Sequence, residues 1–177
     1  MKGVKVNTKM DFYIELGKPE NNLSSDNEDS KLSEAIYTIF PLDAEDAVLH
    51  WGDETILLSY RYDIATIIDD IIQMIFTLKN NTAGKWHVDW PSNTFAGAWD
   101  FSWSGMFLEI KTKWREEFGA SDYLTKNNVI KIEKDKFLDE WKKIINIVLI
   151  NLSECGYSDK NLTDMGILIK LKRILDK

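Results

Sequence analysis

Trp86-His87-Val88-Asp89-Trp90 and Trp99-Asp100-Phe101-Ser102-Trp103 decide the fold. In each segment large apolar residues alternate strictly with polar ones. Successive side chains of a strand point to opposite faces, so this alternation describes strands with one face in a core. Paired antiparallel, the two segments place Trp86, Val88, Trp90, Trp99, Phe101 and Trp103 on one face. The other face then collects His87, Asp89, Asp100 and Ser102. After the turn dipeptide Ser104-Gly105, Met106, Leu108 and Ile110 continue in period two, and Val129 to Ile132 adds a short strand. A meander is the simplest connection.

Similar signals extend outward from this centre. Met10, Phe12, Ile14 and Leu16 alternate with polar residues and predict a strand. Residues 18–33 are rich in Asn, Ser, Asp and Glu and read as a polar, mobile surface loop. Ala35 to Phe40 reads as a second strand, closed by Pro41. Ala47–Trp51 and Thr55–Tyr60 flank Gly52-Asp53-Glu54, a hairpin signal. Asp63 is placed to cap a helix whose apolar stripe is Ile64, Ile67, Ile68, Ile71, Ile75 and Leu78. A second stripe, Phe137, Trp141, Ile144, Ile145, Val148 and Leu152, predicts a long helix with Gly156 just past its end. A last helix is expected near Leu162 to Leu175. The expected architecture is α+β: one domain spanning residues 1–177, with an antiparallel sheet of hairpins packed on one face by about three helices.

Composition excludes several classes. The 177 residues carry 22 Lys and Arg against 29 Asp and Glu, a net charge of −7. That balance argues against a general phosphate-gripping surface and against a polybasic membrane binder. Lys outnumbers Arg 19 to 3, leaving few of the guanidinium groups that nucleic-acid readers favour. The bias toward Lys, Asn and Ile resembles that of an AT-rich coding genome. Cys155 is the one cysteine, so no intramolecular disulfide forms. Met1 to Asn7 has no apolar signal core, and the most apolar stretch, Ile64 to Leu78, carries Asp69 and Asp70 at its centre. A cytoplasmic protein is expected, bound neither to membrane nor to nucleic acid.

No motif names a reaction. His87, Asp89, Asp100 and Ser102 have the residue types of a general-base site, but a half-exposed sheet presents such residues to solvent anyway. Ser102 lacks the strained turn of a nucleophile elbow. His50, His87 and Cys155 sit on unrelated elements, so no metal site is expected. Neither a dinucleotide fingerprint nor a phosphate loop is present, so no cofactor is expected. The run Asn93 to Ala98 reads as a hairpin loop. The tryptophan face is either the core side of the sheet or an aromatic platform for a partner.

Charge is unevenly placed. Residues 1–100 hold 17 acids and 8 bases, a net −9, whereas residues 101–177 hold 12 acids and 14 bases, a net +2. The acids gather at 20–34, at 43–54, and at Asp69, Asp70, Asp89 and Asp100. Such a surface either keeps the protein soluble or steers a basic protein partner.

An acidic, tryptophan-rich chain of this size resembles the immunity proteins of bacterial polymorphic-toxin systems. The resemblance is carried by Trp86 to Pro91, by Trp99 to Trp103, and by the strand-then-helix run Val129 to Leu152 with Phe137-Leu138-Asp139-Glu140-Trp141. It implies a non-enzymatic protein that binds and neutralises a toxin, often a basic nuclease. The charge pattern and exposed positions nominate Asp53, Glu54, Asp69, Asp70, Asp89, Trp90 and Asp100 as partner-binding residues. The alternative expectation is a small-molecule-binding domain or minor enzyme using the face of His87, Asp89 and Asp100.

Overall fold

A computed structural model describes residues 12–91, 96–115 and 122–176. The readings of Met1 to Asn7, of Met10 and of Asn93 to Phe95 lie outside them, while Ala96 to Ala98, read as part of the same hairpin loop, instead pair with Pro91 to Asp89 as strand. The fold is α+β with antiparallel sheets. Strands β1 (Phe12–Glu15), β2 (Ala47–Trp51) and β3 (Glu54–Leu58) form one sheet in that order. Strands β4 (Ala83–Pro91), β5 (Ala96–Ser104), β6 (Phe107–Trp114) and β7 (Val129–Glu133) form the second, a meander. The α-helices are α1 (Leu32–Ile39), α2 (Ala65–Asn80), α3 (Asp122–Lys126), α4 (Lys134–Glu154) and α5 (Met165–Leu175).

The two tryptophan segments pair antiparallel, as expected. Trp86 pairs with Phe101, His87 with Asp100 and Val88 with Trp99. Alternation therefore sends Val88, Trp90, Trp99, Phe101 and Trp103 into the core. Glycines at the turns adopt the left-handed backbone that tight hairpins need, with φ of 62° at Gly52 and 61° at Gly105.

Residues 35–40 correct the predicted second strand: 35–39 belong to α1, and Phe40 is its C-cap. Leu32, Ala35, Ile36 and Ile39 fall at helical spacing and are all buried. Leu32 was hidden at the end of a polar segment, which left the β-branched and aromatic residues after it looking like a strand. Glu34 fixes the helix start by accepting the Ser30 and Lys31 N–H groups and the Ser30 hydroxyl. The segment before α1 is tied to the far end of α4. Asn21 donates to Asn151 and Glu154, the Asp26 N–H donates to the Tyr157 hydroxyl, and that hydroxyl donates to Asp29.

The Asp63 helix begins a turn earlier than expected, with a π-helical turn over Tyr60–Ile64. Ser59 and Asp63 cap it reciprocally. The Ser59 N–H donates to Asp63 Oδ2 at 2.8 Å, and the Tyr62 N–H donates to Ser59 Oγ at 3.4 Å. At the other end of the fold, Gly156 ends α4 as predicted, with φ of 90°. Tyr157 N–H reaches the Leu152 carbonyl and Gly156 N–H reaches that of Ser153, the paired bonds of a Schellman motif.

Tryptophans join the two sheets. Trp51 of β2 meets Trp99 of β5 at 5.3 Å between ring centroids and Trp114 of β6 at 5.6 Å. Trp90 meets Trp99 at 5.5 Å and stacks on Trp141 of α4 at 6.2 Å. These rings belong to one buried cluster that runs through both sheets and α1, α2, α4 and α5. Helix α4 touches β1 of the first sheet and β7 of the second. It also completes the edge of β1: the Ile14 N–H donates to Glu140 Oε2 at 2.7 Å, and Lys143 Nζ donates to the Ile14 carbonyl at 3.2 Å. An edge strand whose polar groups are taken this way is a poorer template for another chain.

Candidate functional site

The residues nominated by the sequence fall on the four-stranded sheet, on the β2–β3 hairpin and on α2. On the outer face of that sheet the cross-strand rows read Lys85-Ser102-Glu109-Lys131, His87-Asp100-Lys111-Val129 and Asp89-Ala98-Lys113. His87 is the centre of the polar cluster, with Nδ1 2.7 Å from Asp100 Oδ1 and Nε2 3.4 Å from Asp89 Oδ2. All three side chains are more than half exposed.

The electrostatics follow from this geometry. The hydrogen bond to Asp100 raises the His87 pKa above its ordinary value, and Asp89 adds to the rise. Two carboxylates holding the two ring nitrogens favour the imidazolium. An imidazole so held tends to keep its proton, and the nitrogen that would act as base already faces Asp89. Among the described residues no hydrogen bond joins Ser102 to His87. The row charges are mixed, with Lys85, Lys111, Lys113 and Lys131 standing among Asp89, Asp100 and Glu109. An open depression of about 490 Å³ lies on this face, lined in part by Lys85, His87, Asp100, Ser102 and Lys111.

The other nominated residues lie on two separate elements, the β2–β3 hairpin and α2. Asp53 occupies the β2–β3 turn, where its N–H donates to the Tyr123 hydroxyl at 3.2 Å. Glu54 begins β3 opposite Trp51. Asp69 and Asp70 are neighbours within α2. Asp69 is exposed, and Asp70 is half-buried. Burial and the adjacent Asp69 raise the Asp70 pKa. Asp46 is raised likewise, by burial and by the nearby Asp63.

The chain matches no family model, no curated protein and no solved structure.

Among the nominated residues, the structure brings Asp89 and Asp100 together around His87. Asp53 and Glu54 lie on the other sheet, and Asp69 and Asp70 on a helix. Trp90 is a correction: it is 0% exposed, packed between Trp99 and Trp141, and presents no surface to a partner. The tryptophan face is thus the core side of the sheet, with Trp86 alone among its four tryptophans only partly buried.

Sequence reasoning missed Tyr37, Arg61 and Tyr62, which line a groove beside Asp29 and Glu34. With residues 35–40 read as a strand, nothing placed Tyr37 on the face of Glu34. The helical spacing 34 and 37 was the signal. Among the described residues no group of three or more His, Cys, Asp and Glu is placed to hold a metal ion, and no helix is long and apolar enough to cross a membrane.

Proposed function

We propose that this chain is a non-enzymatic protein-binding module of the immunity type, which captures and neutralises a basic toxin in the cytoplasm. One observation carries the reading: the net charge is concentrated in the residues that build the first sheet, α1 and α2. Residues 12–82, which build the first sheet, α1 and α2, hold 14 Asp and Glu against 4 Lys and Arg, a net −10. Residues 83–176 hold 14 of each, a net zero. The net acidity therefore belongs to the residues that build the first sheet, α1 and α2, and the outer face of the meander is balanced.

Concentrated like charge opposes folding, since it holds carboxylates near one another as at Asp69-Asp70 and at Asp46 with Asp63. A surface that keeps this arrangement gains long-range attraction for a cationic partner, felt mainly in the association rate. Asp53, Glu54, Asp69 and Asp70 are among the attracting residues. Asp89 and Asp100 stand among lysines and contribute less. A pull-down at low salt against high-pI products of neighbouring genes tests the reading. Capture of one such product in a 1:1 complex supports it, and failure to retain any of them contradicts it.

The depression beside His87 supports a second reading, a small-molecule-binding site or minor enzyme. Its weakness is that both ring nitrogens already face carboxylates. Ligand-induced movement of the His87 ring resonances, with no partner protein present, would favour this reading over the first.

A further inference from the structure

Each sheet ends in two edge strands: β1 and β3 in the first, β4 and β7 in the second. In an antiparallel pair, residues bonded to the neighbouring strand alternate with residues whose N–H and C=O point away from it. The two-residue turns Gly52-Asp53 and Gly105-Met106 make bonded pairs of Trp51 with Glu54 and of Ser104 with Phe107, which sets the alternation in each sheet. On β1 it turns the backbone of Ile14 outward, and Glu140 and Lys143 take both of its groups. On β4 the outward positions include Lys85, His87, Asp89 and Pro91, and on β7 they include Lys131 and Glu133. Charges and proline at an edge deter a further strand.

The edge of β3 has no such guard. Its outward positions are Thr55 and Leu57. Both are exposed and uncharged, Leu57 by 60%. Their N–H and C=O groups make no hydrogen bond among the described residues. Their side chains stand beside His50 and Val48 on the outer face of the first sheet. Open main-chain groups at strand spacing, with apolar area beside them, form a template for an added strand.

Charge selects the occupant. Residues 45–59, which contain β2 and β3, hold Glu45, Asp46, Asp53 and Glu54 and neither Lys nor Arg. Asp53 and Glu54 lie at the start of β3. Glu45 and Asp46 lie at its other end, because Ala47 pairs with Leu58. The nearest cations do not balance these four. Arg61 donates to the Tyr37 and Phe40 carbonyls at the end of α1, and Lys126 pairs with Asp122. A second copy paired antiparallel about Ile56 would bring Asp53 of each chain toward Asp46 of the other, like charge against like.

We propose that the β3 edge takes up an extended segment of a basic protein partner as a fourth strand, with lysine or arginine at both ends of the segment. The segment's backbone completes the hydrogen bonds of Thr55 and Leu57, and its side chains pack beside Ile56 and Leu57. Its cations meet Asp53-Glu54 at one end and Glu45-Asp46 at the other. This deepens the basic-partner reading and rests on it.

The test is amide hydrogen exchange of the full chain at low salt, with the peptide acetyl-Lys-Val-Thr-Val-Thr-Val-Lys-amide. In the free chain the Thr55 and Leu57 amides should exchange faster than those of Ile56 and Leu58, which bond to β2. Peptide at about ten times its dissociation constant should slow Thr55 and Leu57 about tenfold. Leu57→Pro removes an outward N–H and spares the bonds to β2, a position where an edge strand tolerates proline. It should weaken peptide binding about tenfold, the scale of one lost hydrogen bond. Thr55→Pro is a second variant with the same expected direction. Binding that neither variant weakens would overturn the proposal. So would equal protection by the same peptide with Glu in place of both Lys, or protection that rises with protein concentration alone, which would assign the edge to a second copy. Amides that stay fast with peptide, while a basic product is still captured in the pull-down, would overturn the strand addition and leave the basic-partner reading standing. An empty pull-down would contradict that reading and the proposal with it.

Discussion

His87 Nδ1 lies 2.7 Å from Asp100 Oδ1, across a register pair of β4 and β5. The contact follows directly from alternation, since residues paired across antiparallel strands share a face. Its consequence is a histidine whose proton is held more firmly than in solution.

The His87 pKa should exceed the usual value of about 6.5. Asp100→Asn should lower it most, because the Asp100 hydrogen bond contributes most, and Asp89→Asn should lower it less. The linkage sign follows: a raised folded-state pKa adds stability that is full below the unfolded value and is lost as pH rises through the folded one. The contribution should stay below about 1 kcal/mol, because all three groups are mostly solvated. Imidazole NMR titration reads the shift, and an unshifted His87 in the wild-type chain would contradict the assignment.

The packing of Trp51 against Trp99 holds two sheets together, so Trp99 is the most consequential core ring. It is 0% exposed and touches Phe12, Trp51, Trp90, Phe101 and Trp114. Trp99→Ala should cost about 3–5 kcal/mol in urea unfolding, the scale for truncating a buried aromatic. Trp86→Ala should cost less, since that ring is partly exposed. Equal losses would show that the sheet-to-sheet contact is not central.

Close packing makes a second, opposite prediction at Gly84. A Cβ there would stand 2.6 Å from the Trp103 ring. Gly84→Ala should therefore destabilise by about 1–3 kcal/mol through overpacking. A neutral effect in the same unfolding assay would mean that the ring moves aside freely.

Glu140 and Lys143 clamp the Ile14 backbone to α4. Glu140→Ala removes the acceptor of a partly buried N–H and should cost about 1–3 kcal/mol. Hydrogen exchange at the Ile14 amide should accelerate more than exchange at the amides of β5. Unchanged protection at Ile14 would remove α4 from the account of how β1 is held.

What the sequence revealed depended on whether the decisive contact was local. The strands of the meander were legible because Trp86 to Trp90 and Trp99 to Trp103 write their faces in period two, and the His87 cluster came with them. The division into two sheets was not legible, because alternation says which face is buried and not which strand is the neighbour. Trp51 and Trp99 are 48 positions apart and meet only in three dimensions. Helix α1 was misread because its β-branched residues favour strands locally, and burial of Leu32, Ala35, Ile36 and Ile39 overrides that preference. The groove at Tyr37 and Tyr62 was lost with it. Net acidity was legible as a count along the chain, and the fold adds that the residues carrying it build the first sheet, α1 and α2.

The carboxylates of the first sheet and α2 are proposed to draw in a basic protein. The most direct measurement is the association rate with the captured basic partner across ionic strength, for the wild-type chain and for Asp53→Lys/Glu54→Lys/Asp69→Lys/Asp70→Lys. The wild-type rate should fall at least about tenfold from low to physiological salt, and the variant should remain folded but associate slowly with a weakened salt dependence. Identical rates and salt slopes for the two folded proteins would contradict it.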